Sequence, residues 1–354
     1  MVSGTEGGFG ENLILDHYRN YGCNLLLQVG DVWPLGIVPD LALKDEILWI
    51  QWLPVDWLGM PQNVINRIKP AHKLISFSKY GEEALRRAGL PNVEKFIWLG
   101  LDTKVWKPIP REDLTGVMES MGYSWDSFNL LIVAANQERK GIRQQLEAIS
   151  IFRKLNPEVD VRLYLHSDLV RERDLRADLN ELGLDKIYTG PDPYITTQGG
   201  FPEEHMVAAF NCCDVVLNAC CEGFGYPQLQ AQSVGAPVIV LNEGAGPELT
   251  VFGWETPPLG VITSPHQMAQ PLPHPAAITA CLGEAWRLRK ERGVPLRSEK
   301  AVKFVRDNFS WDKIAERWIE VIDKCMEDRE THCLDIPSPS EELHKRATTL
   351  VEIA

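Results

Sequence analysis

Residues 221–239 read Cys221-Glu222-Gly223-Phe224-Gly225-Tyr226-Pro227-Gln228-Leu229-Gln230-Ala231-Gln232-Ser233-Val234-Gly235-Ala236-Pro237-Val238-Ile239. Before them, Asp214-Val215-Val216-Leu217 is a short apolar run that predicts a strand ending near Asn218. A tight Glu-Gly-Phe-Gly turn follows, and a helix is expected from Tyr226 to Val234. Proline suits a first helical turn, where its missing N–H costs nothing. Pro237 to Leu241 is again a strand. The free N–H groups at the helix start, at the positive end of its dipole, form an anion site. The glycines let a ligand approach the backbone. Glu222 stands at the C-terminal end of a strand, where open α/β sheets bind ligands.

The same alternation extends outward from this stretch. Upstream, strands are expected at Leu130–Ala134, Val161–Leu165 and Ile187-Tyr188, with helices at Arg143–Leu155, Val170–Leu182 and Glu203–Asn211. Downstream, helices are expected at Ala276–Glu291, Ser298–Asn308 and Trp311–Met326. The N-terminal part offers about four strands: Leu25–Val29, Ile47–Ile50, Lys73–Phe77 and Val93–Trp98, with a helix from Lys79 to Ala88. Strands alternating with helices predict parallel sheets of the α/β class. The polar, proline-containing stretch Lys104–Arg111 reads as a crossing between domains. The segment Pro191–Gly200 reads as a loop.

The chain has 354 residues, 44% hydrophobic and 24% charged, with a net charge of −13. That length suggests two domains. The acidic balance argues against nonspecific nucleic-acid binding or attraction to anionic lipid. No run is long and apolar enough for a membrane span, and the first residues do not form a signal peptide, so a cytoplasmic protein is expected. Of eight cysteines, Cys212-Cys213 and Cys220-Cys221 are vicinal pairs. Adjacent strand residues point to opposite faces, so these read as small buried apolar residues rather than zinc ligands. The glycine-rich stretch from Gly4 to Gly10 has no strand before it. A dinucleotide-binding turn needs one, which disfavours a dehydrogenase.

The stretch Glu222–Gly225 through Gly235–Val238 resembles the signature of retaining glycosyltransferases of the GT-B fold, the group 1 or family 4 enzymes. Trp52-Leu53-Pro54-Val55-Asp56, Ser76–Gly81 and Gly100–Pro108 resemble the end of that family's first domain. Val133–Gly141, with Arg139-Lys140-Gly141, resembles the first turn of its donor domain, and Gly244–Leu249 and Phe309-Ser310-Trp311 also fit. The resemblance implies two Rossmann-like domains with a cleft between them: an abbreviated acceptor-side domain over 1–108, a donor-binding domain over 109–330, and a tail over 331–354. It implies a nucleotide-diphosphate sugar as co-substrate, an acceptor hydroxyl of unknown identity, and no cofactor. Metal independence is expected too, since no Asp-x-Asp motif is present. An uncovered sheet edge in the short first domain would favour a homo-oligomer.

Carried onto this sequence, the family pattern assigns Glu222 to the hydroxyls of the transferred sugar and Lys140 to the leaving diphosphate. Gly223, Phe224, Gly225 and Tyr226 would present the backbone to sugar or phosphate. Asn136, Gly246 and Glu248 would line the donor pocket, and His166, ending the strand Leu163-Tyr164-Leu165, reads either as a donor contact or as a structural histidine. Two positions depart from the pattern. The second acid of the family's motif is Gln230, which keeps hydrogen bonds to a ribose but loses the charge-assisted component. The family's arginine five positions before the lysine is Ala135, and Arg139 is the candidate substitute. Asp56 reads either as an acceptor-side group or as a turn-stabilising aspartate. Asp102 reads as fixing a turn, and Trp33, Trp49, Trp52 and Trp57 as core. A phosphorylase or epimerase on the same fold, and a non-catalytic nucleotide-sugar-binding protein, are the alternatives.

Overall fold

The computed structural model describes residues 13–44, 46–192, 201–263 and 268–331. The Gly4–Gly10 stretch, most of the Pro191–Gly200 loop and all but the first residue of the 331–354 tail lie outside them. The chain divides into two compact units. The first comprises residues up to Pro54, Met60–Ile97 and Ala315 onward; the second comprises Val55–Gly59 and Trp98–Ile314. This division differs from the sequence boundaries at 108 and 330. The helix Trp311–Thr331 explains much of the difference. Its Trp318 ring packs edge-on against Trp52, centroids 4.9 Å apart, and Arg317 donates to the Phe96 carbonyl at 3.2 Å.

The first unit holds α1 (Ile14–Asn20), β1 (Leu26–Val29), α2 (Val38–Leu43), β2 (Trp49–Leu53), α3 (Gln62–Ile68), β3 (Lys73–Ser76) and α4 (Lys79–Arg87). Its sheet has the order β1-β2-β3, all parallel. Every β2 residue is buried, as a central parallel strand requires. The expected fourth strand at Val93–Trp98 is absent. Only an isolated bridge joins Leu74 to Val93, and the next backbone bond along β3 is Ile97 N–H to the Ser76 carbonyl. The segment follows Pro91 and touches β3 at intervals without a continuous ladder. Trp49, Trp52 and Trp57 are core residues, as expected, whereas Trp33 is 37% exposed.

The second unit contains α5 (Thr115–Ser120), β4 (Phe128–Val133), α6 (Ile142–Leu155), β5 (Val161–His166), α7 (Leu175–Glu181), β6 (Tyr188–Thr189) and α8 (Glu203–Cys212). Then come β7 (Val215–Asn218), α9 (Tyr226–Ser233), β8 (Val238–Leu241), α10 (Gly246–Leu249), β9 (Gly253–Thr256), β10 (Pro258–Thr263), β11 (Ala269–Pro273), α11 (Pro275–Arg292) and α12 (Glu299–Asn308). Six parallel strands form a sheet in the order β6-β5-β4-β7-β8-β9, and β10 and β11 form a separate antiparallel hairpin. β9 and the hairpin were not expected from sequence. The core under the sheet includes Phe128, Leu130, Ile132, Leu146, Ile149 and Leu163, all at most 1% exposed apart from the looser residues around them. Each such apolar side chain contributes ~1.5–3 kcal/mol on burial. Helix α7 starts at Leu175 rather than near Val170 because the Asp174 side chain caps it, accepting from Arg176 and Ala177 N–H groups.

The order of this sheet reverses between β4 and β7. The chain runs outward from β4 through β5 to β6, then returns to place β7 on the other side of β4. Leu130 pairs with Val215 and Ile132 with Leu217 across that junction. Such a switch point leaves a crevice at the strands' C-terminal ends.

Candidate functional site

Both strands at the switch point end in a loop that brings charged residues to the crevice. After β4, a 3-10 turn covers Glu138–Lys140. The Lys140 N–H donates to the Gln137 carbonyl at 3.0 Å, and the Lys140 carbonyl accepts from Gln145 Nε2 at 3.0 Å. Gly141 follows with φ 56°, and a Cβ there would collide with the Pro273 ring. The left-handed turn aims Lys140 back over the strand ends instead of along α6.

After β7, the Glu222 backbone bridges to Gly244, and the Ala245 N–H donates to the Glu222 carbonyl at 2.9 Å. Gly225 adopts φ 93° and caps α9. A Cβ on it would lie 2.8 Å from Gln228 Cδ. The turn therefore presses against α9, whose first residues are Tyr226 and Pro227.

The two loops meet in an ion pair. Lys140 Nζ donates to Glu222 Oε1, and the side chains are 11% and 12% exposed. Cys220 Sγ donates to the same oxygen at 3.3 Å. Burial pushes the Glu222 carboxyl up, but the Lys140 and Arg139 charges outweigh it and hold it below the usual range. Burial pulls the Lys140 ammonium down, and the Glu222 charge overcomes it, so its pKa is raised. Each group is thus held charged by the other. Arg139, one residue before, pairs through Nη1 with Asp56 Oδ2 at 2.6 Å. Asp56 lies in the short segment Val55–Gly59 of the second unit. The crevice thus carries two cations and two carboxylates side by side.

The remaining residues singled out from sequence are placed as follows. Gly223 and Phe224 are buried in the turn. The Tyr226 hydroxyl donates to the Gly100 carbonyl at 3.0 Å. Gln230 is half-buried on α9. Gly246 is buried and Glu248 half-buried in α10. His166 ends β5, where burial holds its imidazole pKa down and the Phe201 ring packs edge-on at 5.4 Å. The Asn136 amide nitrogen serves the fold, donating to the Asp168 and Arg173 carbonyls at 2.8 and 2.7 Å. Asp102 fixes its turn, accepting from Lys104 N–H at 2.9 Å. Cys212, Cys213, Cys220 and Cys221 are all buried.

Sequence reasoning missed the buried glutamines that hold these loops together. Gln145 Oε1 accepts from the Ala219 N–H at 3.3 Å while its Nε2 serves Lys140, so one side chain links the loops after β4 and β7. Gln228 accepts from Asn218 Nδ2 at 3.2 Å and donates to the Phe224 and Ala245 carbonyls at 3.1 and 3.3 Å. Satisfied buried amides of this kind specify one loop arrangement. The available signal was Gln228 itself, a polar residue among the buried residues of α9.

Residues 127–271, less than half of the chain, match the family model described as Glycosyl transferases group 1. A D-inositol 3-phosphate glycosyltransferase of Paenarthrobacter aurescens is 30% identical over 148 residues, covering 41% of this chain and 34% of its own. A second enzyme of that name, from Pseudarthrobacter chlorophenolicus, is 28% identical over 173 residues, covering 48% and 38%. The matched region therefore spans little more than a third of these relatives. Among solved structures, sucrose-phosphate synthase from Thermosynechococcus elongatus superimposes with a TM-score of 0.70 at 17% identity, covering 90% of this chain and 77% of its own. HepE from Anabaena, solved in complex with UDP-glucose, does so with a TM-score of 0.70 at 16% identity, covering 90% and 82%. The chain has the GT-B fold of these glycosyltransferases. Among the described residues, no helix is long and apolar enough to cross a membrane.

Proposed function

We propose that this chain is a retaining glycosyltransferase that moves a hexose from a nucleotide-diphosphate sugar to an acceptor hydroxyl. The observation that carries the reading is the Lys140–Glu222 pair at the β4/β7 switch point, inside the group 1 domain. The leaving nucleotide diphosphate gains negative charge as the bond from the anomeric carbon to its oxygen breaks. Lys140, fixed beforehand by its backbone bonds, stabilises that charge without reorganising. Lys140 and Cys220 both bind Glu222 Oε1, and a carboxylate has about four lone-pair sites, so a sugar hydroxyl would take Oε2. The helix start at Tyr226 adds backbone donors at the positive end of the α9 dipole.

In this reading no covalent enzyme intermediate forms. The acceptor oxygen bonds to the anomeric carbon on the face the phosphate leaves, and its proton passes to a phosphate oxygen. The protein supplies positioning and charge rather than a strong base. That fits a site in which Glu222 and Asp56 are each paired with a cation. Glycosyl transfer from UDP-, GDP- or ADP-hexoses to a panel of hydroxyl acceptors tests the proposal, with the product's anomeric configuration read by proton NMR. An α-linked product from an α-linked donor supports it. A β-linked product contradicts retention, and donor binding without turnover favours a nucleotide-sugar-binding protein. Gln230, in place of the second acid of the family's motif, is the observation that keeps that second reading open.

A further inference from the structure

A cavity of the second unit lies at the other end of the six-stranded sheet from the Glu222 turn. Its volume is about 380 Å³, inside the range of roughly 300–1,000 Å³ that small-molecule sites occupy. One wall comes from segments that precede strands: residues between Pro108 and Leu114 ahead of β4, Asn211 ahead of β7, and Val234-Gly235 ahead of β8. The other wall is the turn from Val294 to Glu299 that enters α12, together with Val302. The walls are held against each other. The Ser298 N–H donates to the Gly235 carbonyl at 2.9 Å, and a Cβ on Gly235 would lie 3.1 Å from the Ser298 backbone. Ile109, Leu114, Val234, Pro295 and Val302 make most of the surface apolar.

Two arginines and one indole supply the polar side. Arg297 is half-buried. Its Nη1 donates to the Leu296 carbonyl at 2.7 Å and its Nη2 to the Asn211 and Cys213 carbonyls. A guanidinium has five N–H donors, so the Nε–H and one Nη1 hydrogen have no partner among the described residues. No carboxylate lies within ion-pair distance of it among those residues either. The Arg297 charge reaches Asp214, but Arg289 already engages that carboxylate at 2.7 Å. Arg111 lies over the half-buried Trp125 ring with its Cζ 4.1 Å from the centroid, a cation–π contact. Glu299 is the one acid lining the cavity, and it is exposed. The balance at the cavity is therefore positive in a chain whose net charge is −13.

We propose that this cavity binds a small organic anion with an apolar body, a carboxylate carried on an acyl or aryl group. The inference does not depend on the transferase reading. An apolar body entering the cavity gains about 25 cal/mol for each Å² removed from water. Its carboxylate takes the N–H groups that Arg297 has left over, a charge-assisted contact. Arg297 is already anchored by three carbonyls, so little of its freedom is lost when the ligand arrives. A bare phosphate or a sugar phosphate would leave the apolar wall unused, and a cation would meet two arginines.

Isothermal calorimetry with octanoate and with indole-3-acetate tests the proposal on wild type, Arg297→Met and Arg111→Gln, with octanol and acetate as controls. Wild type should bind octanoate or indole-3-acetate at millimolar concentration or below, and the better of the two names the body. Loss of a hydrogen bond to a charged group corresponds to roughly tenfold or more in affinity. Arg297→Met should weaken that ligand about tenfold. Arg111→Gln, a change at an exposed side chain, should weaken it about threefold and leave nucleotide affinity as in wild type. Unliganded melting temperatures show whether each variant is folded. No binding of either anion by wild type would overturn the proposal. So would octanol binding as tightly as octanoate, which would make the charge irrelevant, or acetate doing so, which would make the apolar body irrelevant. Binding unchanged in both folded variants would place the anion elsewhere and overturn it as well.

Discussion

Two buried ion pairs sit at opposite ends of β7, and they differ in what surrounds them. At the N-terminal end, Asp214 pairs with Arg289 of α11 at 2.7 Å, with side chains 1% and 8% exposed. Asp214 also accepts from the Asn129 N–H at 2.8 Å, tying β7 to β4. Burial dominates there and raises the Asp214 pKa despite the Arg289 charge. At the C-terminal end, the Lys140–Glu222 pair has a similar chemistry, but the neighbouring Arg139 adds a second positive charge and the Glu222 carboxyl is held down. The first pair closes the base of the sheet between elements that are otherwise packed. The second stands on two loops where the sheet order reverses and a ligand can approach. Burial and charge pairing alone therefore do not mark a site; the end of the strand does.

The comparison predicts a separation of effects. Lys140→Ala should lower kcat/KM for glycosyl transfer by about 10²–10³-fold, the range for removing one preorganised group that stabilises developing charge. Arg289→Met should leave nucleotide affinity within twofold and lower stability by about 3–5 kcal/mol, because Asp214 is left buried without its partner. Chemical denaturation and calorimetry on both variants check this. Comparable losses of nucleotide affinity in the two would erase the distinction.

Acid should sharpen it. Glu222 has a lowered pKa in the folded chain, so its stabilisation is present above the unfolded carboxylate value of about 4.3 and is lost as pH falls through the lower folded value. Lys140 has a raised pKa, so its share is present below its unfolded value of about 10.4 and is lost as pH rises through the folded one. The pair is complete across the neutral range. Glu222→Gln should be less stable at neutral pH and should lack the acid step that wild type shows. Identical acid limbs for the two proteins would mean that Glu222 is not charged in the fold. The smallest expected change is Gln230→Glu, which would restore a charge-assisted contact and tighten nucleotide-sugar binding by a few-fold. Unchanged or weaker binding would show that Gln230 does not face the ribose.

The strands of the second unit were legible because parallel strands covered on both faces are continuous apolar runs, as in Leu130–Val133 and Val238–Leu241. The hairpin β10–β11 was not. Pro258, Pro271 and Pro273 interrupt it, and β10 is largely exposed, so neither alternation nor an apolar run announces it. The short helices α2 and α3 span fewer than two turns or barely two, too little for a helical period to show. In the site, Glu222 could be named because a glycine-bounded turn after a strand has a local signature, whereas Lys140 was named only through the family resemblance. The Asp56–Arg139 contact and the Gln145 bridge join residues that are distant in sequence. Their side chains are ordinary polar residues until the fold brings them together.

The most direct test of the central claim is calorimetric titration of wild type and Lys140→Ala with UDP, GDP and ADP. The account predicts that wild type binds one nucleoside diphosphate and that Lys140→Ala, still folded, binds it at least tenfold more weakly, as expected for removal of a charged partner. Equal binding by the two proteins, or no binding by wild type at millimolar nucleotide, would contradict a donor site built on Lys140 and Glu222.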